Sequence, residues 1–317
     1  MRRACWIALL CFCALALPAT AAQVTIERSL GSEGDDLFLH GPMSVNAAGD
    51  GTWYLLNSGE CQVMHLDGEW ELLNTFGRCG QGPGEFENPR GMVLYQDELW
   101  VFEMARITVF GLDGTYLRTL VPGLQYSAPA VLDGKLAAVM GVGDHSAAFL
   151  NDDGTVASTF GTTCPTDFFE SFKTCRNQQI LPHDEGLCLL LNPLSGQVFL
   201  VGQDGEIAWD QELVPTRDTS RMSESDDGET VTLSVTFLTG LGGRDSQGRY
   251  WFTLASDDED APTTLRVTDG RLNNVAEDIV MPEGIAGFEV FFTPDGLLGL
   301  VSTGESVIHL CRMDFAP

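Results

Sequence analysis

Residues 77–120 read GRCGQGPGEFENPRGMVLYQDELWVFEMARITVFGLDGTYLRTL. A loop rich in Gly and Pro leads into an apolar run, Gly91–Leu94. Gln96-Asp97 makes a turn before a second run, Leu99–Phe102. Arg106–Phe110 is a third run, Asp113-Gly114 a tight turn, and Thr115–Leu120 a fourth. Four short strands joined in order by turn chemistry make one up-and-down sheet. Such a sheet cannot bury both faces by itself, so it needs copies of itself beside it.

The rest of the chain supplies them. One series of turns runs Asp50-Gly51, Asp97, Asp133-Gly134, Asp184–Gly186, Asp245–Gly248 and Asp295-Gly296, recurring every 36 to 61 residues. A second series, between third and fourth strands, runs Asp67-Gly68, Asp113-Gly114, Asp153-Gly154, Asp204-Gly205 and Asp269-Gly270. That spacing is near the size of a four-stranded propeller blade. The copies fall at about 42–77, 85–121, 127–161, 178–214, 238–280 and 287–314. The sixth lacks a fourth strand. Val24–Leu30, followed by Gly31-Ser32-Glu33-Gly34, resembles Trp70–Phe76 and its own Gly-rich loop, and is expected to pair beside Val307–Leu310. The expected fold is therefore all-β: a six-bladed β-propeller of four-stranded antiparallel blades, its last blade closed by the N-terminal strand. Closure of that kind removes an exposed sheet edge. Helical periodicity is nearly absent, apart from a turn expected at Asp167–Lys173.

The strand, turn, aromatic strand and D-G pattern resembles NHL-type repeats. Gly80-Gln81-Gly82-Pro83-Gly84-Glu85-Phe86, with Pro89 and Gly91, resembles the linker of the bacterial exported six-bladed β-propeller family. The resemblance implies a fold and no one activity, because propellers carry enzymes, scaffolds and sensors alike.

Residues 1–22 read as a secretory signal. Arg2 and Arg3 precede an apolar core, Ala4–Leu17, and Ala19-Thr20-Ala21 fits a cleavage site. The expectation is one propeller domain over residues 23–317, monomeric, soluble, and secreted or periplasmic. Removing Arg2 and Arg3 leaves 15 basic against 45 acidic residues. So negative a surface repels nucleic acid and anionic lipid, so neither nucleic-acid binding nor membrane insertion is expected, and it attracts cations and basic partners.

Six cysteines follow the signal: Cys61, Cys79, Cys164, Cys175, Cys188 and Cys311. An even count in an exported chain suggests disulfides. Cys61 and Cys79 lie in loops expected on one face, and Cys164 and Cys175 flank one insertion, so both pairs are disulfide candidates. Cys188 and Cys311 fall inside strands of different blades and read as buried thiols. Trp53, Trp100 and Trp251 recur in second strands and read as packing between blades. Two insertions break the regularity: 215–229, read as a polar loop, and 256–262. Both are expected on one acidic rim.

The ends of the second strands are expected at the mouth of the central channel. They carry Asn57, Glu103, Asn192, Asp257 and Glu305, with Asp144 beside them. Carboxylates and amides in a ring suit Ca²⁺, a hard cation that takes several oxygens. Six-bladed lactonases of the senescence-marker and paraoxonase types hold Ca²⁺ in such a ring, although this chain lacks the motifs around it. Arg90 and Arg244 border inner strands and are expected to line the channel, where an arginine grips an anion. The five histidines show no spacing that singles out a zinc-binding trio. No G-x-S-x-G, P-loop, H-E-x-x-H or EF-hand loop is present. Three functions follow. The first is a binding or scaffold module that uses its loop face for a protein, peptide or glycan. The second is a Ca²⁺-dependent hydrolase or lactonase at the channel mouth. The third is a purely structural envelope protein.

Overall fold

The computed structural model describes residues 23–31, 37–184, 186–202, 204–214, 220–224, 231–235, 238–254, 263–270, 275–283, 285, 289–302 and 305–314. Six four-stranded antiparallel sheets form a ring of blades. Five blades take their strands in chain order. The sixth has Glu289–Phe292, Leu298–Ser302 and Val307–Asp314 in order, and Gln23–Leu30 as its outermost strand. Val24 faces Met313 and Leu30 faces Ile308, so the ring closes by joining the beginning of the described chain to its end.

The core is divided rather than central. Six buried clusters occupy the six gaps between adjacent blades. In the second strand of blade I all five residues, Trp53–Asn57, are buried. Trp53 and Leu55 enter the gap to blade VI, whereas Tyr54 and Leu56 enter the gap to blade II. Side chains alternate across a strand, so a sheet sandwiched on both faces needs apolar residues at every position. Trp53, Trp100 and Trp251 are all buried packing residues, as expected. Their directions differ: Trp53 points back toward blade VI, and Trp100 and Trp251 point forward toward blades III and VI. A one-residue change in register is enough to reverse the face.

The D-G turns share one chemistry. Asp113 Oδ1 accepts the Thr115 amide at 2.9 Å, Asp153 Oδ1 the Thr155 amide at 2.9 Å, and Asp50 Oδ1 the Thr52 amide at 3.0 Å. The following glycines take left-handed backbone, with φ of +82° at Gly114 and +79° at Gly154.

Two features depart from the sequence reading. The 215–229 insertion is not wholly loop: Ser220–Glu224 pairs with Val231–Val235 as a separate two-stranded ribbon. Val231–Val235 is V-T-L-S-V, an alternation that favours a strand. The second departure is the Cys164–Cys175 staple. Both carry free thiols, while Cys61 and Cys79 are bridged with Cα atoms 5.0 Å apart. Cys188 and Cys311 are buried thiols. The 256–262 insertion and the signal segment 1–22 lie outside the described residues, as does the acidic rim expected of the two insertions.

Candidate functional site at the channel mouth

The second-strand ends Asn57, Glu103 and Asn192 spend their polar groups on nearby backbone and side chains. Asn57 is buried, and its side chain ties down the chain entering blade I: Oδ1 accepts the His40 amide at 2.7 Å and Nδ2 donates to the Phe38 carbonyl at 2.9 Å. Asn192 does the same in blade IV. Its Nδ2 donates to the Lys173 carbonyl at 2.7 Å, and its Oδ1 accepts the Leu194 amide at 3.0 Å.

Glu103 is the blade II counterpart. It accepts from Arg106 Nε at 3.0 Å, from Thr108 Oγ1 at 2.9 Å and from the Glu87 amide. Arg106 then spends its remaining donors on the carbonyls of Gly80, Gln81 and Glu85, at 2.8, 3.0 and 3.0 Å. The Gly-rich loop 80–86 is thus pinned from beneath by a buried ion pair, and Glu85 closes it by accepting the Gly82 amide at 2.8 Å. Sequence reading missed Arg106. The signal was there, since a loop with so many glycines exposes carbonyls that only a multi-donor cation can satisfy together.

Glu305 bonds locally to Ser302 Oγ at 3.3 Å, and Asp144 is exposed. Asp257 lies outside the described residues. Among the described residues, no three His, Cys, Asp or Glu side chains gather as a metal would require.

The two arginines separate. Arg244 stands where its inner strand ends, paired with Asp184 at 2.6 Å and stacked over Tyr250. Its pKa is raised chiefly by the hydrogen bond to Asp184. Arg90 stands at the opposite end, just before the inner strand of blade II, with its amide donating to the Phe102 carbonyl at 2.8 Å.

Arg90 borders a cleft of about 300 Å³ on the channel axis. Every blade contributes to its wall: Ser44, Met92, Ser127, Gln179, Leu241 and Glu289, in order from blade I to blade VI. A second lobe of about 190 Å³ shares Arg90, Ser127, Arg176 and Asn177 and adds Met104 and Phe172. The helix Phe168–Thr174 delivers Phe172 and, just past its end, Arg176. Arg176 is held by Ser171 Oγ at 2.6 Å and by the Gly141 carbonyl. Gln179 joins blades IV and V beneath the cleft, donating to the Gly242 carbonyl at 3.1 Å and accepting its amide at 2.7 Å. Glu289 keeps part of its surface open to the cleft. Protein surrounds it, and the loss of solvent pushes its pKa up to about 8.

Cys164 and Cys175 lie beside the same helix. A hydrogen bond between the two sulfurs is the largest influence on both: it lowers the pKa of Cys175 and raises that of Cys164. The hydroxyls of Thr174 and Thr162 further favour the Cys175 thiolate.

No family model and no curated protein matches the chain. Solved structures do. A streptogramin B lyase is similar over 93% of this chain and 99% of its own, with a TM-score of 0.58 and 11% identity. Virginiamycin B lyase from Staphylococcus aureus covers 92% of this chain and 99% of its own at TM-score 0.59 and 10% identity. A protein of Bacteroides fragilis described as exported covers 94% and 96% at TM-score 0.62 and 10% identity. At such identities the likeness is one of architecture, and the chain shares with these bacterial proteins the six-bladed β-propeller fold.

Proposed function

We propose that this chain is an exported binding module whose ligand seats in the channel-mouth cleft. The observation that carries the reading is the cleft itself, a hollow on the ring axis of mixed polar and apolar lining to which all six blades contribute. Such convergent sites are where ligands bind in closed folds. The buried polar groups at the second-strand ends support binding over Ca²⁺-dependent hydrolysis, because Asn57, Glu103 and Asn192 are already committed to backbone and to Arg106. Export is supported by the Cys61–Cys79 bridge and by the exported architectural relative.

Methyl-labelled methionine spectra test the seat. Small-molecule and peptide ligands are expected to shift Met92 and Met104, which border the cleft. Ser127→Trp, which fills both lobes, is expected to abolish those shifts. Ligands that leave Met92 and Met104 unmoved while shifting Met64 or Met281, or that bind Ser127→Trp unchanged, would move the seat elsewhere.

A further inference from the structure

We infer that the cleft takes a small organic carboxylate, its acid head held by Arg90 and Arg176 and its apolar body laid on Met104 and Phe172. The inference rests on the binding reading above and adds the chemistry of the ligand.

Charge is the first support. The chain carries 45 acidic against 17 basic residues, and nearly every arginine whose side chain is described has a partner on the protein. Arg90 is the exception among the described residues: exposed, with no side-chain hydrogen bond or ion pair. An unpaired guanidinium is costly to order in isolation, and here it stands directly before the inner strand Gly91–Tyr95. Arg176 borders both lobes with it, its direction set by Ser171 and Gly141. Arg90 brings a whole planar, multi-donor fork to the cleft, the geometry that matches a carboxylate, and Arg176, held by Ser171 and Gly141, adds a second fixed positive charge beside it.

The lining supplies the second support. Glu289 is the one acid among the described residues of the cleft. It makes no side-chain hydrogen bond or ion pair among the described residues, and its raised pKa leaves it protonated at neutral pH. It therefore offers a donor instead of a repelling charge, while Arg90 and Arg176 are the charged groups that share its cavity. The charges left on the described lining are the two guanidiniums, which favours an anion there on an otherwise acidic protein. Size is the third support. Lobes of about 300 and 190 Å³ admit a molecule the size of an amino-acid derivative and no folded chain. Met104 is 47% exposed beside the arginines, an apolar surface that an apolar ligand body would cover.

Two sources carry this chemistry, a free aryl or alkyl acid and the C-terminal carboxylate of a short peptide. Calorimetry on the intact protein separates them with 3-phenylpropionate and N-acetylphenylalanine, each against its neutral amide. Met92 and Met104 methyl shifts report the place of binding. At least one acid is expected to bind in the cleft about tenfold or more tighter than its amide, weakening with salt. Arg90→Ala is expected to remove that preference without changing the melting temperature, since the Arg90 side chain bonds to nothing among the described residues and its amide is kept; Arg90→Lys is expected to restore it in part. Acid and amide binding equally in the cleft overturns the carboxylate assignment and leaves the binding seat standing. Amide ligands shifting Met92 and Met104 while both acids do not overturns it as well. Failure of every probe to shift either methyl, with other ligands shifting remote methionines, overturns both.

Discussion

Ser29 Oγ lies 2.9 Å from His309 Nδ1, a contact between residues 280 apart in the chain. It marks the seam of the ring, where Gln23–Leu30 pairs with Val307–Asp314. His309 is buried there, and loss of solvent lowers its pKa, against a smaller opposing pull from Glu305. A histidine whose folded pKa lies below the unfolded value contributes stability that is present above pH 6.5 and lost as pH falls through it. The unfolded chain takes up the proton first. Urea midpoints of the wild type are expected to drop between pH 7 and pH 5 more steeply than those of His309→Gln. Parallel curves would show that the seam histidine carries no such linkage.

Glu103 and Arg106 join a buried acid to a loop that has no regular structure of its own. Their side chains are 1% and 15% exposed. Removing one partner leaves the other buried and unpaired, which costs about 3–5 kcal/mol. Arg106→Ala also frees the carbonyls of Gly80, Gln81 and Glu85. Arg106→Ala is therefore expected to lose at least as much stability as Glu103→Gln in chemical denaturation. Faster amide exchange is expected at Gly82 and Phe86, which bond within that loop. Unchanged exchange there would detach the ion pair from the loop.

Cys61 and Cys79 close a loop with a sequence separation of 18. Chain entropy predicts a loss of about 3 kcal/mol for the Cys61→Ser, Cys79→Ser double variant. Cys164 and Cys175 follow different chemistry. Their thiols meet unbridged, with Cys175 biased toward thiolate. Diamide is expected to join them: two thiols lose two electrons and two protons, and the diazene becomes a hydrazine. Peptide mapping without reductant should show the 61–79 bridge before treatment and a 164–175 bridge only after it. Finding 164–175 linked in untreated protein, or unlinked after diamide, contradicts this.

Glu289 works in the opposite sense to His309. Its folded pKa, up to about 8, lies above the ordinary value of 4.5. Between those values the folded state holds a proton that the unfolded state has released, so stability falls as pH rises through the window. Glu289→Gln removes the slope. It is expected to match the wild type near pH 5 and to exceed it at pH 9, with the difference growing by at most about 1.4 kcal/mol per pH unit crossed. Equal melting temperatures at both pH values would place the carboxyl in water.

The repeat was legible because blade architecture is written locally. Asp-Gly turns set the strand ends. Thr52–Leu56 reads as a half-buried alternating strand, and its burial on both faces comes from the neighbouring blades. The missing fourth strand of the last copy pointed to Val24–Leu30. The cleft was less legible. Arg90 was picked out, but Arg176 sits just beyond a short helix that interrupts the repeat, and nothing in its neighbours marks it. Arg244 shared Arg90's pattern, yet it lies at the other end of an inner strand with Asp184.

By itself, the sequence determined the all-β class, the number of blades and the partner of the N-terminal strand, since turn chemistry and strand alternation depend only on neighbouring residues. Tertiary structure alone decided which polar groups are spent and which face the channel. Asn57, Glu103 and Asn192 are consumed by backbone and side chains beside their own blades, while Arg90, Arg176 and Glu289 line one cleft from blade II, the helix insertion and blade VI. Closing the ring brings these distant residues onto one axis, and no local pattern records that meeting.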